Sequence, residues 1–376
     1  MRLKNFNSKA FRLFGLKVLM LFFALSNVVF AEGLANKSNS YEKAKVLEVI
    51  SEEKNEFVSQ AGIDGYNQKL KILILSGKDE GKTFTIENSY FEGNQYTIKL
   101  EEGNLITVFK ENGTYLLNGL YRAHRIYYLS IIFLLSIIVV GKMKGLRSLV
   151  GLGSTVLLVF YVFLPMIKNG YDIMLVSTLV SALANIITIA LVQGISAKSI
   201  SAIIGSTAGC LCAYLFSFIF TFGISVTGIS PDIAIGIDAL GINLNLSELF
   251  FSSVMLGTLG AVMDVSVSMS ASIYEIHAAN PELGKRELFK RGMNVGSDIM
   301  GTMTNTLILA YLGGSLSTII YLYYASVDVF SLLNIDYVAG DILRSLCGSM
   351  ALILAIPLTS IVASVLIGRK NGKRVI

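Results

Sequence analysis

The chain has no tryptophan, two histidines and three cysteines, and only 15% of its 376 residues are charged, against roughly 25% in an ordinary soluble domain. Each shortage excludes something. Combined with 53% hydrophobic residues and a mean hydropathy of +0.64, the low charged fraction excludes an ordinary soluble globular protein. His124 and His277 lie far apart, and Cys210, Cys212 and Cys347 do not fall at zinc-ligand spacing, so no metal centre and no cofactor are expected. Residues 32–125 contain no cysteine, so no disulfide staples that stretch.

The formal charge is +5, which would suit an anionic partner if it formed a patch. It does not. Residues 1–31 hold five basic and no acidic groups; residues 32–125 hold 12 basic and 14 acidic; residues 126–376 hold 14 basic and 12 acidic. The excess is equal to that of the leader alone, and no nucleic-acid partner is expected. Arg2, Lys4, Lys9, Arg12 and Lys17 precede a short apolar run, Val18 to Leu25, and Val29-Phe30-Ala31 offers a cleavage site. This is the layout of a secretory signal peptide. An uncleaved N-terminal anchor is the alternative, since Val18–Ala31 is a little short of a span. On either reading residue 32 onward is exported.

Residues 32–125 carry short alternating apolar runs: Val46 to Ile50, Lys71 to Leu75, Thr83 to Ile86, Tyr96 to Ile98 and Ile106 to Phe109. Charged, Gly-containing turns separate them, at Gly77 to Gly81 and Glu101 to Asn104. Period-two runs with turn signals predict a small antiparallel β domain, barrel-like in kind.

From Ile126 onward the chain predicts an α-helical integral membrane domain. Seven spans are long enough for ~30 Å of hydrocarbon: about 126–141, 148–168, 172–192, 200–222, 248–274, 298–323 and 342–367. Tyr121, Tyr127, Tyr128, Tyr321, Tyr323 and Tyr324 cluster at span ends, as interfacial aromatics do. With the β domain outside, the inner segments hold Lys142, Lys144, Arg147, Lys198, Lys285, Arg286, Lys290, Arg291, Arg369, Lys370, Lys373 and Arg374, and the outer inter-span loops hold Lys168 alone among basic residues. The outer side carries Asp172, Asp232, Asp238, Asp328, Asp336 and Asp341 instead. This split follows the positive-inside rule and places the C-terminus in the cytoplasm. Arg344 is the exception, and Asp341 is its expected partner.

A charge at the centre of a span costs on the order of 2.5–3.5 kcal/mol on insertion scales, so ionisable residues there are the first functional candidates. Asp264 lies near mid-membrane in span five. Ser268, Ser272 and Glu275 follow on its face, and Gly257 and Gly260 thin the helix. On span six Asn294, Asp298, Thr302 and Asn305 form one polar stripe, flanked by Thr304 and Thr306. Asp264 and Asn305 are equally far from the inner loop joining the two helices, so they are expected to face one another across a polar cavity. The structural alternative is polar glue between helices, worth only ~0.6 kcal/mol on average. For Asp298 the alternative is a residue complementing a helix N-terminus.

Asn185-x-Ile187-x-Ile189-Ala190 in span three parallels Asn305-x-Leu307-x-Leu309-Ala310 in span six. Because these spans run in opposite senses, inverted halves of the transporter kind are one reading; chance apolar matching is the other. Gly170-Tyr171-Asp172 and Ala339-Gly340-Asp341 resemble the paired motifs of intramembrane aspartyl proteases, but Val338 stands where glycine is needed. No phosphate-binding loop, nucleotide fold or serine elbow is visible, and no enzymatic activity is expected.

Gly257–Glu275 (GTLGAVMDVSVSMSASIYE) and Gly292–Gly314 (GMNVGSDIMGTMTNTLILAYLGG), with the leader and β domain before them, resemble the YibE/F-like family of bacterial multi-pass membrane proteins. The resemblance implies a plasma-membrane location and a transport role without an assigned chemistry. Asp264, Asp298 and Asn305 match its polar motif positions. The leading expectation is a permease or channel for a small solute or ion, proton-coupled through Asp264. Ser268, Asn294, Asp298, Thr302, Asn305 and Asn185 are the further pathway candidates. The alternative is an envelope assembly or signalling scaffold whose exported domain, residues 32–125, binds a protein partner.

Overall fold

The computed structural model describes residues 41–55, 65–92 and 97–367. The leader, Tyr96, and the basic residues Arg369, Lys370, Lys373 and Arg374 lie outside them. The chain divides into two compact units between Lys142 and Met143.

The first unit opens with five antiparallel strands: β1 (Tyr41–Lys54), β2 (Gly65–Ile74), β3 (Thr83–Phe91), β4 (Leu105–Glu111) and β5 (Thr114–Leu120). They form one sheet in the order β3-β2-β1-β4-β5. The sheet curls until its two edges nearly meet, and the Phe84 ring of β3 lies 4.6 Å from the Tyr115 ring of β5. One face of each strand buries Ala44, Val46, Leu70, Ile72, Ile74, Ile86, Ile106 and Val108, the period-two pattern expected of a curled sheet with a single core.

Two of the expected strand positions are corrected. Thr97 and Ile98 are not in a strand. The Ile98 and Leu100 carbonyls accept instead from the amides of Asn88 (3.0 Å) and Gln68 (3.0 Å), so side chains take the bonds a neighbouring strand would have supplied. The fifth strand is Thr114–Leu120, reached through a tight turn at Asn112 (φ 49°) and Gly113 (φ 87°). Both residues are left-handed, which is the requirement of a two-residue hairpin turn and the reason for Asn-Gly there.

Helix α1 (Ala123–Leu158) leaves helical geometry at Lys142 (φ 48°, ψ −130°). It continues through a π-helical turn (Val159–Phe163) into α2 (Leu164–Lys168). The apolar stretch Ala123–Lys168 is 46 residues. As one straight helix it would reach roughly 69 Å, more than twice the hydrocarbon thickness, so the break at Lys142 separates two segments of spanning length. Then follow α3 (Ile173–Gln193), α4 (Ala197–Thr221), α5 (Pro231–Ala239), α6 (Leu246–Ala279), α7 (Lys285–Gly314), α8 (Leu316–Tyr324), α9 (Val329–Leu333) and α10 (Asp336–Ile367). Five helices are long and apolar enough to cross a membrane, with α7 and α8 a further pair bent by 58°. The count of about seven holds only approximately. Span six departs most from expectation: it starts at Lys285 rather than 298 and is broken at Ser315.

In the β domain Asp79 accepts from Lys82 (2.8 Å), Lys110 (2.6 Å) and the Tyr115 hydroxyl (3.0 Å), and that hydroxyl also reaches buried Glu42 (2.8 Å). The lysine ammonium groups, Lys110 first, hold the Asp79 carboxyl well below the usual carboxylate range. Burial, then Glu42 and Asp79, push the Tyr115 phenol up. A folded pKa below the unfolded value of about 3.9 contributes stability that is complete above that pH and is lost as pH falls through the folded value. Amide protection of β1 to β5, read by hydrogen exchange on the full chain in detergent, should therefore weaken below about pH 4. Asp79→Asn should flatten that dependence. Tyr115→Phe should weaken protection at neutral pH by about 1–3 kcal/mol, since Glu42 is left short of a donor.

Candidate functional site

Helix α6 is the centre of the membrane unit. Its Ser252 hydroxyl bonds that of Ser177 on α3 (3.0 Å), Ser266 accepts from Thr359 on α10 (3.1 Å), and Ser270 donates to the Lys198 carbonyl of α4 (2.5 Å). Small residues bring the backbones this close. A β-carbon added at Gly209 of α4 would stand 2.6 Å from Val262, and Gly348 of α10 sits directly against Thr258. Helix α7 approaches in the same way, with Gly292 against Ile273, Gly296 against Met269 and Ile356, and the Tyr311 hydroxyl against Gly257.

The α6 face that meets the Tyr311 hydroxyl at Gly257 is otherwise open to the surface. Gly257, Gly260, Asp264 and Ser268 are exposed. On α7 the residues facing away from its buried positions (Leu288, Gly292, Gly296 and Leu307) are Asn294, Ser297, Asp298, Thr302 and Asn305, all exposed. The Ser297 and Thr302 hydroxyls donate to carbonyls of their own helix, Met293 (2.9 Å) and Ile299 (3.0 Å). Asp264, Asp298, Asn294 and Asn305 have no side-chain partner among the described residues.

The pairings Gly257–Tyr311 and Gly296–Met269 fix the antiparallel register of these helices. That register sets Asp264 level with Thr302, with Asn305 about one turn farther along. Asp264 and Asn305 thus lie at nearly the same level, and both are exposed. Asp298 is corrected. It stands about three and a half turns inside a helix that begins at Lys285, so it does not complement a helix N-terminus.

Asn185 is not brought to this face. It is wholly buried on α3, its amide makes no regular hydrogen bond, and the group beside it is the Cys210 thiol, a weak partner. Buried Asn185 and exposed Asn305 occupy unlike surroundings, and α6 has α3, α4, α7 and α10 around it. The parallel between spans three and six does not extend to their packing.

A second feature lies outside the expected site residues. Where α7 gives way to α8, Ser315 donates to the Asp341 carboxylate of α10. The other Asp341 oxygen accepts from Arg344 (2.6 Å), the expected pair, and Arg344 also reaches Ser253 of α6 (3.3 Å) and lies over the Phe250 ring. These groups stand beside a largely apolar cavity of about 350 Å³, lined among others by Tyr311, Ser315, Asp341 and Ser345. Gly313-Gly314-Ser315, three weak helix formers inside an apolar run, was the available signal for the bend. Asp172 caps α3 by accepting from the Leu175 backbone (2.7 Å). One aspartate of the protease-like pair is thus a helix cap and the other an ion-pair partner. Among the described residues no three His, Cys, Asp or Glu side chains gather as a metal centre would require.

Removing Arg344 should leave the partly buried Asp341 carboxylate without its strongest donor. Arg344→Gln is expected to lower the melting temperature in detergent, with a cost of roughly 1–3 kcal/mol. The double variant with Asp341→Asn should recover part of the loss, because the uncompensated charge is gone.

Comparison with known families matches the YibE/F-like protein family over residues 129–369 and the YibE/F family N-terminal domain over residues 37–119. Searches of curated proteins and of solved structures gave no match.

Proposed function

The chain belongs to the YibE/F-like family, and on that premise we propose that this membrane protein is a permease or channel for a small solute or ion. The observation that carries the reading is Asp264, a carboxylate on the most centrally packed apolar helix, held without a partner among the described residues. Lipid cannot solvate it, and hydroxyls elsewhere on α6 already serve as helix contacts. The pathway runs along the α6–α7 face: Asn294 and Asp298, then Asp264, Ser268, Thr302 and Asn305, then the Tyr311 hydroxyl and the bend at Ser315. A broken helix beside a carboxylate is a recurring feature of transporter sites. Asp264 is the group that would take up and release a proton with each cycle.

Topology follows from charge. The β domain is exported, and Lys142, Lys144, Arg147, Lys198, Lys285, Arg286, Lys290 and Arg291 remain on the cytoplasmic side of the plasma membrane with the C-terminus.

A scaffold is the second reading, favoured by a half-polar cavity of about 510 Å³ where β3 and β5 part, lined among others by Asn88, Ser89, Asn118, Leu120 and Arg122. It would seat a protein partner.

Purified chain in liposomes separates the two. A permease should give solute or ion flux that collapses on Asp264→Ala, and a proton-coupled one should stop when a protonophore removes the gradient. Flux that is absent, or indifferent to Asp264, together with loss of the cellular phenotype on deleting residues 41–120, would transfer the function to the β domain.

A further inference from the structure

The exposed surfaces of α6 and α7 present two acids and two amides with no side-chain partner among the described residues, Asp264, Asp298, Asn294 and Asn305. Lipid is an unfavourable cover, since a single aspartate at mid-membrane costs on the order of 2.5–3.5 kcal/mol. The face is also bare of bulk. A β-carbon added at Gly260 or Gly301 would meet nothing within 4 Å, so another helix can approach both backbones closely, the geometry by which membrane helices associate.

The other apolar segments of the chain offer this face little. In the first half of α1, the Ser130 and Ser136 hydroxyls already bond carbonyls of their own helix (2.8 and 2.7 Å). Residues 18–31 carry only Ser26 and Asn27 as polar side chains. The face itself contains the complement it needs. Its acceptor, Asp264, and its amide donor, Asn305, lie within about one turn of each other in height. A two-fold axis along the membrane normal preserves height and makes an interface in which each copy offers the same patch. Such an axis lets the Asp264 of one copy meet the Asn305 of the other at the same depth.

We propose that a second copy of this chain docks on the α6–α7 face, with Asp264 of each copy meeting the Asn305 amide of the other. The permeation path is incomplete without that copy; this last clause rests on the transport reading, whereas the docking does not.

The test uses the full-length chain in membranes, with Cys210, Cys212 and Cys347 replaced by serine. Chains carrying Gly260→Cys, level with Asn305 by the helix register, are mixed with differently tagged chains carrying Asn305→Cys and oxidised, beside mixtures of the Gly260→Cys chain with Leu183→Cys or Leu211→Cys on exposed faces of α3 and α4. The Gly260→Cys with Asn305→Cys mixture should give disulfide-linked dimers carrying both tags several-fold above the two control mixtures. Equal products in all three mixtures, none in the first, or a link to a different protein would each overturn the docking. So would a monomeric mass for the unmodified chain in lipid nanodiscs, a measurement independent of whether the cysteine variants fold. A dimer without Asp264-dependent flux would keep the docking and remove the permeation path; Asp264-dependent flux from a monomer would do the reverse.

Discussion

Hydrocarbon offers no hydrogen bonds, and the arrangement of the membrane unit depends on that constraint. Every polar group on a spanning helix must find a partner in its own backbone, in a neighbouring helix, or in something outside the chain. Ser252, Ser266 and Ser270 of α6 take the second course, toward α3, α10 and α4. Because these contacts are short, the backbones between them must be close, and glycines at 209 of α4 and 348 of α10 permit it, as those at 292 and 296 do for α7. The packing and the polar contacts are one device: small residues allow the approach, and hydroxyls fix its register.

Asp264 breaks this pattern. Its neighbours on either side of the helix are committed to packing, yet Asp264 itself is exposed. The same holds for Asn294, Asp298 and Asn305 on α7. Polar glue would place such groups between helices, where Ser266 and Thr359 are found. Their outward position leaves water or another protein surface as the partner, and this is what links the transport reading to the docking of a second copy.

The β domain meets its own constraint differently. Its buried carboxylate, Glu42, and the half-buried network of Asp79, Lys110 and Tyr115 lie near the Phe84–Tyr115 contact that brings the sheet edges together. A single hydroxyl serves two carboxylates there. At the opposite end Gln68 and Asn88 bond the backbone of a segment that the alternating pattern had marked as a strand. Thr97 and Ile98 are strand-like residues, but tertiary partners decide whether the backbone pairs with a strand or with side-chain amides.

Local chemistry made much of this protein legible from its residues alone. Hydropathy marked the helical region, alternation marked four of the five strands, and the Asn112-Gly113 pair, though passed over, encoded the fifth. The Asp341–Arg344 pairing could be read from spacing because it is formed within one turn of one helix. What the residues could not specify was direction around a helix axis. The stripe of Asn294, Asp298, Thr302 and Asn305 was visible as a stripe, but whether it faced inward depended on which side of α7 the glycines at 292 and 296 presented to Ile273, Met269 and Ile356. That choice is made by the fit between helices distant in sequence, and only the tertiary structure decided it. It turned Asn185 into the core and left Asp264 on the outside.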